Sequence, residues 1–358
     1  MTDDAQIEYH PRLCGQSPLG LLGHQPIINR FLNDDERRHH GYIFQGPKGV
    51  GKASTAYRLA EHLLAQPDDG GLFEDTPAAP RDDDPEVSLL RAGVHPDLKV
   101  IEGDPDKANM PISVERIRTV IPYLAHTPSR GAMRVVLIDA MDQMNVNGAN
   151  ALLKTLEEPP ENTVLIILHH GQTPILPTIR SRVQVVAFKP LSFDDTRRVI
   201  AALYPDAEEN WVDVAAVLSE GAPGKAMMLA EAGAPDLYAE TCMAFAQGPL
   251  NGMEIDRLAS LWGAGGIKHA TRRQLARQFF DRLLVKAARQ CVDAPPREGE
   301  PAMDIEEDAV RRISARLSAY HLTEIRADLL AALYEAERLN LDAMPAIFTA
   351  LEKMSQPS

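Results

Sequence analysis

The sequence has few cysteines, and no spacing that would bring them together. Only three of its 358 residues are cysteine, at positions 14, 242 and 291, and no two form a Cys-x-x-Cys pair. This argues against a disulfide framework and a cysteine zinc site, and it fits a reducing compartment such as the cytoplasm. The N-terminal residues are acidic and lack an apolar core, so we expect no signal peptide.

Long apolar runs and an excess of positive charge are also missing. The most apolar stretches, such as residues 164–168, have the length of a strand and fall short of a membrane span. The chain has 51 Asp and Glu residues and 37 Lys and Arg residues, which gives a formal net charge of -14. Such an acidic chain is poorly suited to hold DNA alone through a general positive surface. We expect no membrane association.

Hydrophobic residues make up 44% of the chain, which is enough for a folded core, and the length predicts two or three domains. Short apolar runs alternate with helical periodicity up to about residue 188, which predicts a doubly wound α/β domain with a parallel sheet. Beyond residue 190 only helical signals continue. The predicted strands are residues 42–44, 98–101, 134–139, 163–168 and 183–188. The predicted helices follow Lys52 and cover residues 114–124, 147–158, 194–203, 212–218, 275–287, 309–320, 322–338 and 344–354.

A glycine-rich loop separates the first predicted strand from its helix. Residues 46–52 read Gly-Pro-Lys-Gly-Val-Gly-Lys and fit the P-loop pattern G-x-x-x-x-G-K. In such a loop, backbone N–H groups and the helix N-terminus surround phosphate oxygens, while the lysine neutralises the terminal phosphates. The predicted nucleotide-contacting residues of the loop are Gly46, Gly49, Gly51 and Lys52.

Two catalytic groups are missing from this predicted site. Ala53 stands where the pattern requires a Ser or Thr hydroxyl that ligates Mg²⁺. Asp139 ends the strand that resembles Walker B and is a further candidate for nucleotide binding, but Ala140 follows it in place of a glutamate. Ser54 is turned about 100° away on a helix, so we do not expect it to substitute. The two gaps predict a nucleotide-binding fold that no longer hydrolyses ATP; a glycine turn without a ligand is the alternative.

Two longer segments carry a family resemblance. Residues 150–160, which read Asn-Ala-Leu-Leu-Lys-Thr-Leu-Glu-Glu-Pro-Pro, are similar to the signature that follows Walker B in bacterial clamp loaders. Residues 178–183 resemble the Ser-Arg-Cys motif of the same proteins, with Val183 in place of cysteine. Shorter matches are residues 23–25, 95–97 and 335–342. The chain therefore resembles the AAA+ clamp-loader family over about residues 19–235.

The resemblance implies a three-part architecture. It gives a RecA-like AAA+ P-loop α/β domain with a parallel sheet over residues 1–188, a small helical lid over 189–234 and an all-α collar for oligomerisation over 235–358. An acidic segment, residues 66–85, takes the interval in which related clamp loaders often carry a four-cysteine zinc module. No zinc is therefore expected.

The resemblance also implies a role. The gamma/tau motor subunits carry a P-loop threonine and an Asp-Glu pair, where this chain has Ala53 and Ala140, and Gly224 takes the position of their lid arginine. This implies a non-hydrolysing accessory subunit of the DNA polymerase III holoenzyme, without independent catalysis. It would assemble with gamma/tau and delta and act on the sliding clamp and primed DNA through the complex. No cofactor is required, and we expect ATP binding to be weak, structural or absent.

Arg182 is the residue for which the resemblance implies a catalytic role. In the family, the arginine of this motif reaches the nucleotide site of the neighbouring subunit. A guanidinium placed there stabilises charge that develops at the γ-phosphate, and in trans it is worth about 10³–10⁵ in rate. We therefore predict that Arg182 acts in trans and that the chain holds no metal. An ordinary surface arginine is the alternative.

Two other functions stay open at this point. One is an active AAA+ ATPase, such as a gamma-like motor or a helicase loader, with rearranged metal ligands. The other is a free-standing scaffold whose nucleotide site has no role. His169 and His170 could suggest a metal site, but neighbours on an extended chain point to opposite sides, so we predict a polar strand end. ATP turnover by the isolated chain would favour the active ATPase.

Overall fold

The computed structural model describes residues 22–33, 39–65, 82–103, 111–130, 133–263, 270–295, 303–339 and 341–356, with the backbone alone over 270–274. The chain forms two compact units, Met1–Leu191 and Ser192–Ser358. Cys14 and residues 66–81 of the predicted acidic segment lie outside the described residues.

The first unit contains a parallel sheet of five strands in the order β2-β3-β4-β1-β5. Its strands are β1 Gly41–Gln45, β2 Leu98–Glu102, β3 Arg134–Asp139, β4 Thr163–His169 and β5 Gln184–Ala187. The central strands β3 and β4 have continuous buried apolar interiors between polar terminal residues, as expected of a parallel sheet with both faces covered. Every pair in the sheet is parallel, and β1 pairs in register with β4 from Gly41↔Leu165 to Gln45↔His169. The predicted RecA-like α/β fold is confirmed.

Seven helices of the described chain accompany this sheet. They are α1 Gln25–Asn33, α2 Lys52–Leu64, α3 Pro85–Ala92, α4 Val114–Arg118, α5 Val120–Leu124, α6 Val146–Glu157 and α7 Pro177–Arg180. Aliphatic residues of α4, α5 and α6 share one buried cluster with residues of the sheet. The position of α2 directly after β1 and the glycine-rich loop confirms the predicted strand, loop and helix.

One local prediction in this unit was wrong, and one bound differs by a single residue. The single helix predicted over 114–124 is interrupted at Thr119, because Pro122 has no N–H to donate to the carbonyl four residues earlier. The predicted acidic loop ends before Pro85. Asp84 accepts a hydrogen bond of 2.7 Å from the Glu86 N–H and caps α3, with Pro85 as its first residue.

The described residues of the second unit form helices and connecting loops, with no strand among them. Its helices are α8 Phe193–Leu203, α9 Glu209–Ser219, α10 Lys225–Glu231, α11 Ala234–Gln247, α12 Gly252–Gly263, α13 Ala270–Gln290, α14 Asp304–Ser314, α15 Ala319–Leu339 and α16 Met344–Ser355. A small cluster around Ile200 joins α8, α9 and α10. A larger cluster includes Leu218 and Leu229 together with Trp262 and Phe279. Residues on both sides of the predicted lid–collar boundary thus share a core, and the three-part division stays a prediction.

The helix prediction in this unit needs two corrections. The helix predicted over 309–320 ends at Ser314, and a new helix begins at Ala319, where the Ser318 hydroxyl accepts a hydrogen bond from the His321 N–H. Helices α11 and α12 were not assigned from the sequence. None of the helices in the described part of the chain is both long and apolar enough to span a bilayer.

Candidate functional site

Three neighbouring strands end at the same edge of the sheet and carry the predicted nucleotide-site residues. The glycine-rich loop leaves β1, Asp139 ends β3, and His169 ends β4. The Gly46 N–H donates to the His169 carbonyl at 3.1 Å, which attaches the start of the loop to β4. The carboxyl ends of parallel strands are the usual ligand-binding edge of an α/β sheet. The fold therefore brings the loop and Asp139 together, as predicted.

The glycines of the loop are required by its shape. Gly49 has φ 84° and Gly51 φ 103°, a left-handed conformation that other residues rarely adopt. Gly46 is needed for a different reason, since a Cβ added there would lie 2.3 Å from the carbonyl oxygen of Phe188. The chain therefore keeps the backbone of a phosphate-binding loop, including the turn into α2.

Lys52 is folded onto the loop that precedes it. Its side chain is buried, and its Nζ donates to the carbonyls of Gly46 at 2.7 Å and Pro47 at 2.6 Å. Burial lowers the pKa of the ammonium group to about 8, although the charges of Asp139 and Asp142 oppose this shift. To contact a terminal phosphate, Lys52 would have to exchange these two carbonyls for phosphate oxygens.

Asp139, the last residue of β3, and Asp142, three residues later, have different surroundings. Burial raises the pKa of Asp139, and Glu102 adds to this effect, while Lys52 and Lys48 oppose it. Burial alone would also raise the pKa of Asp142, but backbone N–H groups that donate to its carboxylate lower it below the ordinary value. Asp142 is therefore a structural group and does not replace the glutamate missing at position 140.

The donors to Asp142 come from the loop that follows β4. They are the N–H groups of His170, Gln172 at 2.8 Å and Thr173 at 3.2 Å. His169 adds a contact of 3.3 Å from Nε2 to Asp142 Oδ1, and the same nitrogen lies 2.8 Å from the Thr173 carbonyl. These bonds fix the end of β4 beside the glycine-rich loop.

His170 faces the other aspartate at a longer distance. Its Nε2 lies 3.8 Å from Asp139 Oδ1. Burial and the neighbouring charge of Lys52 lower the pKa of His170 to about 4, so its ring is neutral at pH 7. A neutral ring at a strand end agrees with the polar role predicted for this pair of histidines.

His24 contacts the glycine-rich loop, and the sequence analysis did not predict this contact. Its Nε2 lies 2.8 Å from the carbonyl of Val50, which can only accept, so Nε2 carries the proton. The ring packs against Phe188 with a centroid distance of 4.7 Å. Burial lowers the pKa of His24, which keeps the ring neutral. The short family match at residues 23–25 was the only signal in the sequence that could have indicated a role for His24.

Arg182 lies near the amino end of β1, at the opposite end of the strands from the glycine-rich loop. It follows α7 and precedes β5, and its carbonyl oxygen is 3.7 Å from a Cβ built on Gly41, the first residue of β1. Five residues of strand, about 16 Å at 3.3 Å per residue, separate that end of β1 from the glycine-rich loop. The structure therefore keeps Arg182 away from the loop of its own chain.

The Arg182 guanidinium is held by three neighbours. Nη1 donates to the Thr178 carbonyl at 2.8 Å and to the Ser181 hydroxyl at 3.1 Å, and Nη2 forms a 2.8 Å ion pair with Glu157 Oε1. About a third of the side chain, 34%, stays exposed. Arg180 is exposed, and its side chain has no hydrogen bond or ion pair within the described residues. The catalytic role of Arg182 in trans stays a prediction.

The predicted lid position lies in the second unit. Gly224 precedes α10, and the neighbouring Lys225 donates from Nζ to Glu220 Oε2 at 3.1 Å. The lysine next to the missing arginine therefore has a carboxylate partner within its own unit.

The five-stranded parallel sheet with a glycine-rich loop after β1 and Asp139 at the end of β3 forms a RecA-like α/β domain. Residues 25–192 match the family described as "DNA polymerase III, delta subunit". This match covers a little under half of the chain, and over that part the chain is similar to the family, in agreement with the resemblance seen in the sequence.

The curated relatives include delta' and tau subunits of DNA polymerase III. The DNA polymerase III subunit delta' of Pseudomonas aeruginosa is 36% identical over 191 residues, 53% of this chain and 55% of the relative. Subunit delta' of Bacillus subtilis is 31% identical over 170 residues, 47% and 48% of the two chains. Subunit tau of Escherichia coli is 31% identical over 179 residues, 49% of this chain but 26% of the relative. The chain spans about half the length of the delta' relatives that it matches.

Proposed function

We propose that this protein is a delta'-type subunit of the DNA polymerase III clamp loader that does not hydrolyse ATP and supplies Arg182 to a neighbour's nucleotide site. One observation carries the proposal. The loop keeps the backbone of a phosphate site, while Ala53 and Ala140 remove the two groups that hydrolysis needs. The arginine motif lies at the far edge of the same sheet and keeps its guanidinium partly exposed.

The proposed partners follow from the named relatives. Delta' and tau proteins are subunits of DNA polymerase III by their names, so we assign this chain to a cytoplasmic assembly with gamma/tau and delta. The assembly would open the sliding clamp and place it on primed DNA. A net charge of -14 favours contact with DNA through the complex rather than by this chain alone.

The donor set at the loop does not suit magnesium. Ala53 and the buried Ala140 have no side-chain oxygen, so of the usual oxygen ligands of this site only the Asp139 carboxylate remains. Phosphate groups suit the loop better, because its backbone N–H groups and Lys52 remain. We therefore assign weak or structural ATP binding to the loop and no hydrolytic step. No zinc belongs to the proposal, since residues 66–85 contain no cysteine.

The chemical contribution is electrostatic. As the bond to the leaving group breaks, negative charge develops on the leaving-group oxygen and is spread over the phosphoryl oxygens, and a cation placed beside these atoms lowers the barrier. Arg182 cannot reach its own loop, so the site that it completes belongs to an adjacent subunit. A finger in trans is worth about 10³–10⁵ in rate.

The test is a reconstituted assembly with gamma/tau and delta. Single-turnover ATP hydrolysis would be measured with wild type, Lys52→Ala, Arg182→Ala and the matched control Arg180→Ala. We expect Arg182→Ala to slow hydrolysis while size-exclusion chromatography still shows the assembly. Lys52→Ala and Arg180→Ala should change little. Thermal melting of each variant shows whether it is folded.

The competing functions give different results in the same experiment. An active ATPase would be damaged chiefly by Lys52→Ala, and it would turn over ATP as an isolated chain. A scaffold without a chemical role would be insensitive to both Lys52→Ala and Arg182→Ala. Either pattern would contradict the proposal.

A further inference from the structure

The Arg182 guanidinium is fixed by groups from two separate elements. Thr178 and Ser181 belong to α7 and the residue after it, close to Arg182 in sequence, whereas Glu157 is the last residue of α6 and lies 25 residues away. An arginine has five N–H donors. The two contacts of Nη1 and the one of Nη2 leave the Nε–H and one Nη2–H for another acceptor.

We propose that Glu157 is a positioning residue for Arg182, which holds its guanidinium ready for the neighbouring subunit's nucleotide. This inference rests on the proposed function, because it concerns the reaction assigned to Arg182. Fixing a long arginine side chain costs rotamer entropy, and a contact that is already formed before assembly removes part of that cost from the reaction.

The end of α6 is a firm support for such a contact. Leu156 is buried, its Cδ2 lies 3.2 Å from a Cβ built on Gly41, and its carbonyl is 3.0 Å from His40 Nε2. The residue before Glu157 is therefore packed against the start of β1. The end of a helix also carries partial negative charge, which favours a cation at that place.

Glu158 provides a natural comparison. It is the next residue, it is exposed, and it forms no ion pair or side-chain hydrogen bond among the described residues. Both glutamates add one negative charge to the same end of α6. A general effect of charge at this edge would therefore be shared by the two residues, whereas an effect through Arg182 would belong to Glu157 alone.

The size of the effect follows from the exposure of the pair. Glu157 is 49% exposed and Arg182 34%, so the pair is a surface ion pair of the kind worth about 0.2–1 kcal/mol. Removal of Glu157 should lower the rate of single-turnover hydrolysis by about 1.4- to 5-fold at saturating ATP. The KM for ATP should stay unchanged, because the finger acts on charge that develops in the transition state.

The experiment is a double-mutant cycle in the assembly with gamma/tau and delta. It compares wild type, Glu157→Ala, Arg182→Ala and the double variant, with Glu158→Ala as the control. We expect Glu157→Ala to reduce the rate in the wild-type background and to have no further effect in the Arg182→Ala background. Raising the salt concentration from 0.05 M to 0.5 M should bring wild type and Glu157→Ala closer together, because salt screens exposed pairs.

The outcomes separate the inference from the proposed function. If Arg182→Ala leaves hydrolysis unchanged, the proposed function fails and takes the inference with it. If Arg182→Ala slows hydrolysis, three results would overturn the inference alone. The first is a rate for Glu157→Ala equal to that of wild type or of Glu158→Ala, and the second is a rate above that of wild type. The third is an equal loss of rate in the wild-type and Arg182→Ala backgrounds, which would mean that Glu157 has a merely structural role.

Discussion

A buried carboxylate in the second unit offers the sharpest test of the packing. Glu306 of α14 has no exposed surface, and both of its oxygens accept hydrogen bonds. Arg282 donates from Nε to Oε1 at 2.7 Å and from Nη2 to Oε2 at 2.9 Å, and Lys286 Nζ donates to Oε2 at 2.6 Å. The Tyr238 hydroxyl also donates to Oε1. The carboxylate thus connects α11, α13 and α14.

Glu306→Ala should destabilise this unit by about 3 kcal/mol. Removing one member of a buried ion pair costs about 3–5 kcal/mol, because the remaining charge stays in a poorly solvated place. We expect the lower end of that range. The side chains of Arg282 and Lys286 are 17% and 16% exposed, and both have further interactions that keep part of their charge compensated.

Tryptophan fluorescence in urea measures this effect in the correct unit. The sequence has two tryptophans, Trp211 and Trp262, and both lie in the second unit. The matched control is Glu307→Ala, which removes an exposed glutamate from the same helix. A loss below about 1 kcal/mol for Glu306→Ala, or an equal loss for both variants, would refute the argument that the buried network stabilises the unit.

The pH dependence gives a second check of the same argument. Burial alone would raise the pKa of Glu306, but its bonds to Arg282 and Lys286 lower it below the ordinary value of 4.5. A carboxylate with a lowered pKa in the folded state stabilises the fold above its unfolded pKa and loses that effect as the pH falls through the folded pKa. The difference between wild type and Glu306→Ala should therefore be full at pH 7 and shrink below pH 4.5.

Three further predictions concern the first unit and can be followed by differential scanning calorimetry. The pKa of Lys52 falls from 10.5 to about 8 on folding, so the unfolded chain binds more protons than the folded chain between pH 8 and 10.5. Over this pH range, the free energy of unfolding of wild type should therefore rise by about 3 kcal/mol relative to that of Lys52→Met. Gly46→Ala should cost about 1–3 kcal/mol, because its Cβ would meet the Phe188 carbonyl, whereas Gly252→Ala, in the second unit, meets nothing within 4 Å and should change stability little. Asp142→Ala should speed hydrogen exchange at the three backbone N–H groups that it binds and cost about 1–3 kcal/mol; unchanged exchange would contradict this.

The sheet was largely predictable because its strands are short apolar runs. The bounds of β3 agree with the prediction at both ends, since a polar residue closes each side of a continuous apolar run. The helices were harder to predict. Pro122 divides a segment whose apolar spacing looks continuous. Helix α11 buries one face, on which Tyr238, Cys242 and Phe245 follow the helical spacing of four and three residues, so its signal was present in the sequence and was overlooked.

The site was predictable only where its residues are close in sequence. The glycines, Lys52 and the strand ending at Asp139 follow from local patterns that reflect backbone shape and strand burial. The contact of His24 with the loop and the pair between Glu157 and Arg182 could not be predicted. Each of them joins residues 25 or more positions apart, and only the assembled sheet brings them together.

The candidate nucleotide site and Arg182 lie at opposite ends of the strands, which explains how residues of one could be substituted without disturbing the other. The nucleotide-site residues lie at the carboxyl ends of β1, β3 and β4, whereas Arg182 lies at the amino end of β1. Within the described residues, the contacts of Arg182 involve α6 and α7 and no residue of the glycine-rich loop. Replacing a hydroxyl by Ala53 and a carboxylate by Ala140 therefore removes oxygen ligands at one edge and leaves the arginine's support intact at the other. The sheet between the two edges is the shared element, and its buried aliphatic strands depend on neither site.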